Sequence, residues 1–234
     1  TSISWQYGHG TFDFYYGSSY VQITSPTLTL NSWQYITVVR NGATITVYKD
    51  GVSSGTANIG SNTLNTGGTT PFYVGNYPDA GGGYINGYLS DVRVVKGTAV
   101  YTGNVTPPTA PLTAITNTKL LLKMADGQAI DSTSQNNLTL DDNTKISNGQ
   151  AKFGDTSLLF DGTNDYATTI FKTSFGAGNF TIEYFFRVGS ISTNQNLFQC
   201  GGSFLPDDDG GPGLGIRTSR WRLYTGSNTA PHPA

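Results

Sequence analysis

The sequence predicts an all-β protein, built as a two-sheet antiparallel jelly-roll sandwich, and three features indicate this. The 234 residues include 30 glycines, 14 tyrosines and 12 phenylalanines. Glycine supplies the positive φ of tight turns, whereas aromatic and β-branched residues fit a pleated surface. Many short runs of such residues alternate with turn signals, and no stretch has a sustained helical period. Many short strands with turns between them favour two packed sheets.

The clearest strand pair lies in WQYITVVRNGATITVYKDG, residues 33–51. Asn41-Gly42 between two β-rich runs is a strong hairpin signal, because a type I′ turn needs positive φ at both central residues. One face of this hairpin is apolar and the other mostly threonine, so one side is expected to cover a core. The expected cross-strand partners are Ile36 with Val47, Val38 with Ile45, Thr37 with Thr46, and Val39 with Thr44.

A second alternating run is FTIEYFFRV, residues 180–188. Its apolar side chains share one face and its polar side chains share the other, as alternation along a strand requires. The apolar set is Phe180, Ile182, Tyr184, Phe186 and Val188, opposed by Thr181, Glu183 and Arg187. Shorter runs predict further strands at residues 11–16, 20–24, 72–75, 88–95, 119–124, 157–160, 197–200, 213–217 and 220–224.

Composition excludes several classes of function. Only 12% of the residues are charged and the net charge is -2, so no basic surface is expected to hold nucleic acid or an anionic membrane. No apolar run approaches the roughly 20 residues that span a bilayer. Cys200 is the single cysteine, which excludes an intramolecular disulfide. His9 and His232 lack a second histidine at metal-ligand spacing, so we expect them to have no site role.

Two groups of motifs resemble a known family. The first group comprises NSWQYITVVRNGATITVYKDGV, PFYVGNY and GYINGYLSDVRVVKGTAVYTG. It resembles the second half of a laminin G-like domain of the concanavalin A-like lectin/glucanase superfamily. The second group comprises TKLLLKMADGQAIDSTSQNNLTL, AKFGDTSLLFDGTNDYAT, GNFTIEYFFRV and NLFQCGG, and it resembles the first half of the same domain type.

The order of these halves predicts the organisation of the chain. Residues 1–104 are read as the later half, 105–118 as a Pro-rich connection, and 119–234 as the earlier half. The chain is thus either a window cut from a tandem array or a circularly permuted single domain. Half a sandwich exposes its inner face, so we expect both halves to share one core, with the 88–95 strand near the 119–124 strand. The seam VTPPTAPLTAITNTKLLL particularly resembles tandem modules of bacteriophage tail and fibre proteins.

Catalysis is the first activity to weigh, because the superfamily includes glucanases. Retaining glycoside hydrolysis needs two carboxyl groups about 5 to 5.5 Å apart. Glu183 is the only glutamate, its same-face neighbours are Thr181 and Phe185, and no strand carries acids at alternate positions. We therefore expect no enzyme, and we expect Glu183 to pair with Arg187 or to anchor backbone on a polar sheet face. Glu183→Gln is then expected to leave function intact.

The sharpest local feature is the acidic run Asp207, Asp208 and Asp209 in FLPDDDGGPG. Adjacent carboxylates repel one another unless they are solvated or bound to a hard cation, and Ca²⁺ takes such oxygen ligands. Resemblance to the family also implies a Ca²⁺ ligand in this loop. The run is therefore a candidate calcium site, with Asp79 as a weak further ligand; the alternative is an exposed acidic loop.

Three other aspartates are expected to be structural. Asp161 and Asp50 lie at Asp-Gly turns, where a carboxylate caps its own backbone. Asp91 is expected to pair with Arg93 or to accept a hydrogen bond from a loop amide.

A carbohydrate site needs aromatic faces on which sugar rings stack, with polar groups around them. Tyr77, Tyr84 and Tyr88, around the Gly-rich stretch 76–87, are the best-placed candidates. Alternatives are Trp5, Tyr7, Trp221 and Tyr224. Each of these side chains has an ordinary alternative role in the core or at the edge of a sandwich.

Two functional hypotheses follow from the residues and the resemblance. The first is a non-catalytic virion-surface module that binds host-surface glycans or serves as a spacer and assembly unit among other virion proteins. A homo-oligomer is one candidate assembly of such a module. The second is a secreted bacterial adhesin or an accessory carbohydrate-binding domain of a polysaccharide-degrading enzyme. Both place the chain on a virion surface or outside the cell.

Overall fold

A computed structural model describes twelve stretches of the chain. They are residues 4–7, 11–16, 19–24, 27–62, 71–75, 84–124, 131–133, 136–170, 175–190, 195–200, 213–217 and 220–224. These stretches contain strands and connections but no helix, and so none that is long and apolar enough to cross a membrane. The all-β prediction is confirmed.

The strands follow one another along the whole described chain. They are β1 (Ser4–Tyr7), β2 (Thr11–Tyr16), β3 (Ser19–Thr24), β4 (Gln34–Asn41), β5 (Thr44–Lys49), β6 (Val52–Asn58), β7 (Pro71–Val74), β8 (Asn86–Lys96), β9 (Thr118–Leu122), β10 (Leu138–Asp141), β11 (Lys145–Ser147), β12 (Ser157–Asp161), β13 (Tyr166–Ile170), β14 (Phe180–Val188), β15 (Gln195–Cys200), β16 (Gly213–Arg217) and β17 (Arg220–Tyr224). Every predicted strand is present, whereas β1, β6, β10, β11 and β13 are strands that the sequence analysis missed.

The strands form two large sheets and one separate pair. Sheet A has the order β1-β17-β16-β15-β7-β13-β10, and sheet B has the order β11-β12-β8-β14-β4-β5-β6 with β9 beside β8. Strands β2 and β3 pair with each other. Among the described strands the ladders are antiparallel, apart from a parallel β1–β16 pairing. The two-sheet antiparallel sandwich is therefore confirmed in its main features.

One core fills the space between the sheets. Phe72, Val74 and Ala167 from sheet A belong to the same buried cluster as the inner residues of sheet B. The predicted apolar face of β14 lies wholly in this cluster, as do Ile36, Val38, Ile45 and Val47 of the hairpin. For β4, β5 and β14, the face that packs in the core was thus predicted correctly from alternation alone.

The predicted register of the β4–β5 hairpin is wrong. Asn41 pairs with Thr44 and Val38 with Val47, so the connecting residues are Gly42 and Ala43. Only Gly42 has positive φ, +59°, at the first central position, where a type II′ turn requires it. The predicted partner of each residue was therefore two positions away from the observed one. Because side chains alternate with a period of two, this error left the buried face unchanged.

The turn with positive φ at both central residues lies one hairpin later. Asp50 and Gly51, with φ of +50° and +80°, join β5 to β6. Such a pair is the signature of a type I′ turn. The type I′ turn is therefore formed by Asp50-Gly51, and not by Asn41-Gly42.

Strands from before and after the Pro-rich segment interleave in sheet B. Strand β14 lies between β4 and β8. On its other edge, β8 pairs with β12 through residues 86–89 and with β9 through residues 92–95. The expected shared core and the expected proximity of the 88–95 and 119–124 strands are confirmed. The assignment of 1–104 and 119–234 to particular halves of a family domain stays a prediction.

Residues 97–117, which we call the strap, run across the outer face of sheet B. The amide of Val105 donates to the carbonyl of Gly51 at 2.8 Å, and the Arg93 guanidinium donates to the carbonyl of Thr113 at 2.7 Å. A Cβ on Gly51 would lie 1.7 Å from the Val105 carbonyl oxygen, so the crossing requires glycine there. The Pro-rich segment is therefore a packed layer that shields the outer side of the sheet.

Candidate functional site

A groove lies on the outer face of sheet A, across β10, β13 and β7. The apolar residues of these strands point inward to the core, so the alternate residues point outward. Asp141 is the cross-strand partner of Tyr166, and Thr168 pairs with Thr139 on one side and with Tyr73 on the other. The register therefore brings two aromatic rings, two hydroxyls and a carboxylate to one surface.

The groove has a volume of about 360 Å³, within the range of small-ligand sites. The rings of Tyr73 and Tyr166 are 5.9 Å apart between centroids and inclined at 61°. The edge-to-face arrangement holds both rings in place and leaves aromatic surface beside polar groups. The lining residues are Tyr73, Asn137, Thr139, Asp141, Tyr166, Thr168 and Thr169. This combination suits a sugar ring, which has an apolar C–H face and a rim of hydroxyls.

The described lining of the groove carries a negative charge. Among the residues that the structure describes, Asp141 is the only charged one that lines the groove, and its Oδ2 accepts a hydrogen bond from the Thr168 hydroxyl at 3.5 Å. Burial is the main factor that raises the pKa of Tyr166, and Asp141, Tyr84 and Asp142 add to it. The phenol of Tyr84 therefore lies close enough to Tyr166 to act on it electrostatically.

The predicted tyrosines do not form a single site. Tyr84 lies near Tyr166 of sheet A, whereas Tyr88 belongs to β8 of sheet B and packs beside Arg187, whose guanidinium carbon is 6.0 Å from the ring centroid. Tyr77 lies outside the described residues. Trp5, Tyr7, Trp221 and Tyr224 lie in β1 and β17, where the strands but not the side chains are described.

The aromatic pair in the groove was missed by the sequence analysis. Tyr73 alternates with Phe72 and Val74 in PFYV, which marks it as an outward-facing residue. Tyr166 opens YATTI, a short strand whose polar residues hid the pattern. The alternation of Phe72, Tyr73 and Val74 was a usable signal, but nothing local shows that these two strands are neighbours.

Glu183 has a different environment from the one predicted. It is fully buried in sheet B, and the register of β14 places it opposite Arg93, whose Nε donates to Oε1 at 2.5 Å. Oε2 accepts hydrogen bonds from the hydroxyls of Tyr35 and Tyr101, the second at 3.0 Å. The expected pairing with Arg187 is wrong, because Arg187 lies beside Tyr88 instead. Burial and then the charge of Glu183 raise the pKa of Tyr35 far above its ordinary value.

The cluster of Glu183, Arg93, Tyr35 and Tyr101 lies beneath the strap. Tyr101 is itself a strap residue, so the strap supplies one of the hydrogen bonds that satisfy the buried carboxylate. Both oxygens of Glu183 are occupied, and no part of the residue reaches solvent. In this arrangement the carboxylate stabilises the junction of strap and sheet rather than meeting a substrate.

Asp91 bears out one of its two expected roles. It is buried, and its Oδ1 accepts a hydrogen bond from the amide of Leu112 in the strap at 2.8 Å, as expected of a loop amide. Burial raises the pKa of Asp91 to about 6, although hydrogen bonds from Leu112 and Ser90 oppose the shift. Asp91 also has a φ of +53°, at the point where β8 passes from pairing with β12 to pairing with β9.

The two Asp-Gly turns differ in what their carboxylates cap. Asp161 accepts a hydrogen bond from the amide of Thr163 at 2.7 Å, so it caps its own turn as expected. Asp50 instead accepts a hydrogen bond from the amide of Tyr35 at 2.9 Å, in the neighbouring strand β4. The expectation that Asp50 caps its own backbone is therefore wrong, although its role is structural.

Asp131 is a structural aspartate that the sequence analysis missed. It is buried, and it accepts hydrogen bonds from the amide of Leu121 at 2.9 Å and from the hydroxyl of Thr133 and the side-chain amide of Asn136, both at 2.7 Å. Burial alone would raise the pKa of Asp131, but these bonds outweigh it and lower the pKa. The carboxylate thereby ties the loop after β9 to that strand.

The candidate calcium ligands Asp207, Asp208, Asp209 and Asp79 lie outside the described residues, as do His9 and His232. In the part of the chain that is described, no three His, Cys, Asp or Glu side chains come together to hold a metal ion. Calcium binding by the acidic run stays a prediction.

Comparison with protein families gives one match that bears on this site. Residues 2–100 match the model of a family described as the concanavalin A-like lectin/glucanases superfamily. The first part of the chain is similar to that superfamily. This match confirms that the first group of motifs resembles the superfamily, and it fits a carbohydrate-binding or structural role. The assignment of these motifs to the second half of a domain stays a prediction. It includes β7 of the groove but ends before β10 and β13.

Comparisons with curated proteins and with solved structures gave no match. The resemblance of the second group of motifs, and of the seam to phage tandem modules, therefore stays a prediction.

Proposed function

We propose that this chain is a non-catalytic glycan-binding module displayed on a virion surface, in a tail or fibre. The observation that carries the proposal is the groove on sheet A, where two tyrosine rings lie beside hydroxyl, amide and carboxylate groups. The match of residues 2–100 to a superfamily that includes lectins supports a saccharide as the ligand. The seam's resemblance to phage tandem modules supports the virion setting.

In this proposal the groove recognises a sugar by two kinds of contact. The C–H face of the sugar ring packs on Tyr166 or Tyr73, which removes apolar surface from water. Asn137, Thr139, Thr168 and Asp141 then hydrogen-bond to the sugar hydroxyls and set the orientation. A shallow open groove of this size gives weak binding at one site, so repetition along a fibre would supply avidity.

Two observations support a non-catalytic role. The only glutamate of the chain is buried under the strap and bonded to Arg93, Tyr35 and Tyr101. In the described part of the chain, Asp141 is the only acid that lines the groove, whereas the two-carboxylate mechanism needs a pair. A single carboxylate serves binding well, because it accepts charge-assisted hydrogen bonds from sugar hydroxyls.

Binding is tested with a glycan array probed by the wild-type chain, by Tyr166→Ala and by Tyr88→Ala. We expect binding to at least one glycan, a loss of at least about tenfold with Tyr166→Ala, and little change with Tyr88→Ala, which is on the other sheet. Equal losses in both variants would contradict the assignment of the site to sheet A. Release of reducing sugar from a bound polysaccharide would contradict the non-catalytic role.

Virion display is tested separately, by immunogold labelling of phage particles with antibody raised against the chain. Labelling on tails or fibres is the expected result. Labelling without glycan binding would leave the spacer role and reject the glycan-binding one, whereas glycan binding without labelling would favour the secreted adhesin or accessory domain.

A further inference from the structure

We propose that the groove selects saccharides that carry no negative charge, and that Asp141 is the residue that determines this selection. The inference rests on the proposed glycan-binding function of the groove, and it names the class of saccharide that the groove takes.

The position of Asp141 carries the inference. It lies directly across from Tyr166 in the β10–β13 ladder, and its carboxylate is within hydrogen-bonding reach of the Thr168 hydroxyl. Directly opposed residues in an antiparallel ladder have Cβ atoms about 4.5 to 5.5 Å apart. A sugar ring stacked on Tyr166 therefore presents its substituents to this carboxylate.

Among the residues that the structure describes, no cation lines the groove to offset the carboxylate. The other lining residues are tyrosines, threonines and an asparagine, all neutral. A site built for a uronic acid, a sialic acid or a sulfated sugar would be expected to contain arginine or lysine, because these side chains match carboxylate and sulfate groups. Their absence from the described lining and the presence of Asp141 favour a ligand with only hydroxyl or amine substituents there.

The surroundings of the groove strengthen the negative potential. Asp142 follows Asp141, and the next residue, Asn143, hydrogen-bonds to Asp165 through its amide at 2.9 Å and to Asp161 through its side chain at 3.5 Å. Four carboxylates thus cluster at this end of the sandwich. Asp141 and Asp142 add to the larger effect of burial in raising the pKa of Tyr166, so both charges lie near the ring on which the sugar would stack.

The expected size of the effect follows from Coulomb's law. Two unit charges about 4 to 6 Å apart at a protein surface repel by enough to weaken binding about tenfold or more. A neutral sugar avoids this repulsion, and its hydroxyls donate to the carboxylate instead. The groove should therefore discriminate by charge even between polymers with the same backbone.

The test uses pairs of polysaccharides that differ only in charge. Dextran, a β-glucan, a mannan and a galactan are each immobilised beside their carboxymethyl derivative, and binding is measured at pH 7 and low salt. The wild-type chain is compared with Asp141→Asn and with Asp155→Asn, a control that removes an exposed carboxylate outside the groove. Salt is then raised, because repulsion between exposed charges is screened.

We expect the wild-type chain to bind at least one neutral polymer at least about tenfold more tightly than its carboxymethyl derivative. Asp141→Asn should reduce this ratio to less than about threefold by strengthening binding of the charged polymer, and Asp155→Asn should leave the ratio unchanged. Equal or tighter binding of the carboxymethyl polymers, or an unchanged ratio in Asp141→Asn, would overturn the charge selection and leave the proposed function standing. Binding of no polymer of either kind would overturn both.

Discussion

The environment and the role of a single residue in this protein depend on partners that lie far away in the chain. Glu183 looks from its own strand like a surface residue with Arg187 as a neighbour. Its actual partners are Arg93, Tyr35 and Tyr101, which are 82 to 148 positions away. The reason is that β14 is a central strand covered on its outer side by the strap, so a polar residue there must be satisfied by buried groups. The expectation that Glu183 pairs with Arg187 or anchors backbone on a polar sheet face is wrong.

Glu183→Gln is therefore expected to destabilise the protein by about 3 kcal/mol, because it leaves the buried Arg93 guanidinium without a counter-charge. Adding Arg93→Gln should recover part of that loss, since both charges are then removed. Thermal melts of the two variants and the wild type provide the measurement. Lys49→Gln is the control, because its pair with Asp50 is partly exposed and contributes less than about 1 kcal/mol. A wild-type melting temperature in Glu183→Gln would refute the buried pair.

The raised pKa of Asp91 predicts a specific dependence of the protein's stability on pH. Its pKa is about 6 when folded and close to 3.9 when unfolded, so the folded state holds the proton more tightly. The associated stability, on the order of 2–3 kcal/mol, is fully present below about pH 4 and is lost as the pH rises through 6. Asp91→Asn keeps the acceptor for Leu112, tolerates positive φ and removes the titration.

The measurement is the difference in melting temperature between the wild type and Asp91→Asn from pH 4 to 7.5. We expect the wild type to lose stability relative to the variant across this range. Other titrating groups, including Asp131, are common to both proteins and cancel. A difference that stays flat with pH would contradict the raised pKa.

The acidic run Asp207, Asp208 and Asp209 predicts a dependence of thermal stability on Ca²⁺. If the three carboxylates bind Ca²⁺, the ion at a hundredfold excess over Kd should stabilise the protein by roughly 2.7 kcal/mol. Thermal melts with Ca²⁺ and with a chelator test this, and replacing all three residues with asparagine should abolish any difference. An identical melt in chelator would leave the run as an ordinary acidic loop.

At the scale of an element, the β4–β5 hairpin shows what a turn motif does and does not specify. Asn-Gly correctly indicated a two-residue hairpin, but Asn41 stays in the strand and Gly42 is the first loop residue. The Asn179 side chain accepts a hydrogen bond from the Gly42 amide at 2.8 Å. A contact from another strand region thus holds the turn, alongside its local preference.

Gly42→Val is expected to destabilise the protein by roughly 1 kcal/mol or more, because a β-branched residue is disfavoured at φ of +59°. Gly103→Val is the matched control. Neither glycine has an atom within 4 Å of the position a Cβ would take, and only Gly42 has positive φ. Urea unfolding of both variants isolates the effect of φ, and equal stabilities would contradict the turn geometry.

In the whole molecule, strands from before and after the strap alternate in sheet B, and this arrangement joins the two parts of the chain. Strand β14 is inserted between β4 and β8, so residues on both sides of the strap contribute to one ladder and to one core. Neither part alone would cover the inner face of sheet A. The strap adds to this by satisfying Glu183, Asp91 and Arg93 from outside.

A protease site inserted after Ala110, in an exposed part of the strap, tests this interleaving. After cleavage under native conditions we expect the two fragments to elute together from a size-exclusion column as one species of unchanged size. The same sample should show two bands in a denaturing gel. Separation of the fragments without denaturant would contradict a shared core.

The sequence alone predicts the all-β class, most strand positions and the core-facing sides of β4, β5 and β14. These properties depend on alternation between neighbouring residues, which is local and survives an error of two in register. The tertiary structure alone decided the partner of Glu183, the packing of the Pro-rich strap and the groove of Tyr73, Tyr166 and Asp141. Tyr73 and Tyr166 come together only because β7 and β13, more than 90 residues apart, pair in one sheet. Pairing between distant strands depends on the total packing of the core rather than on any local pattern, which is why the site emerges only from the folded chain.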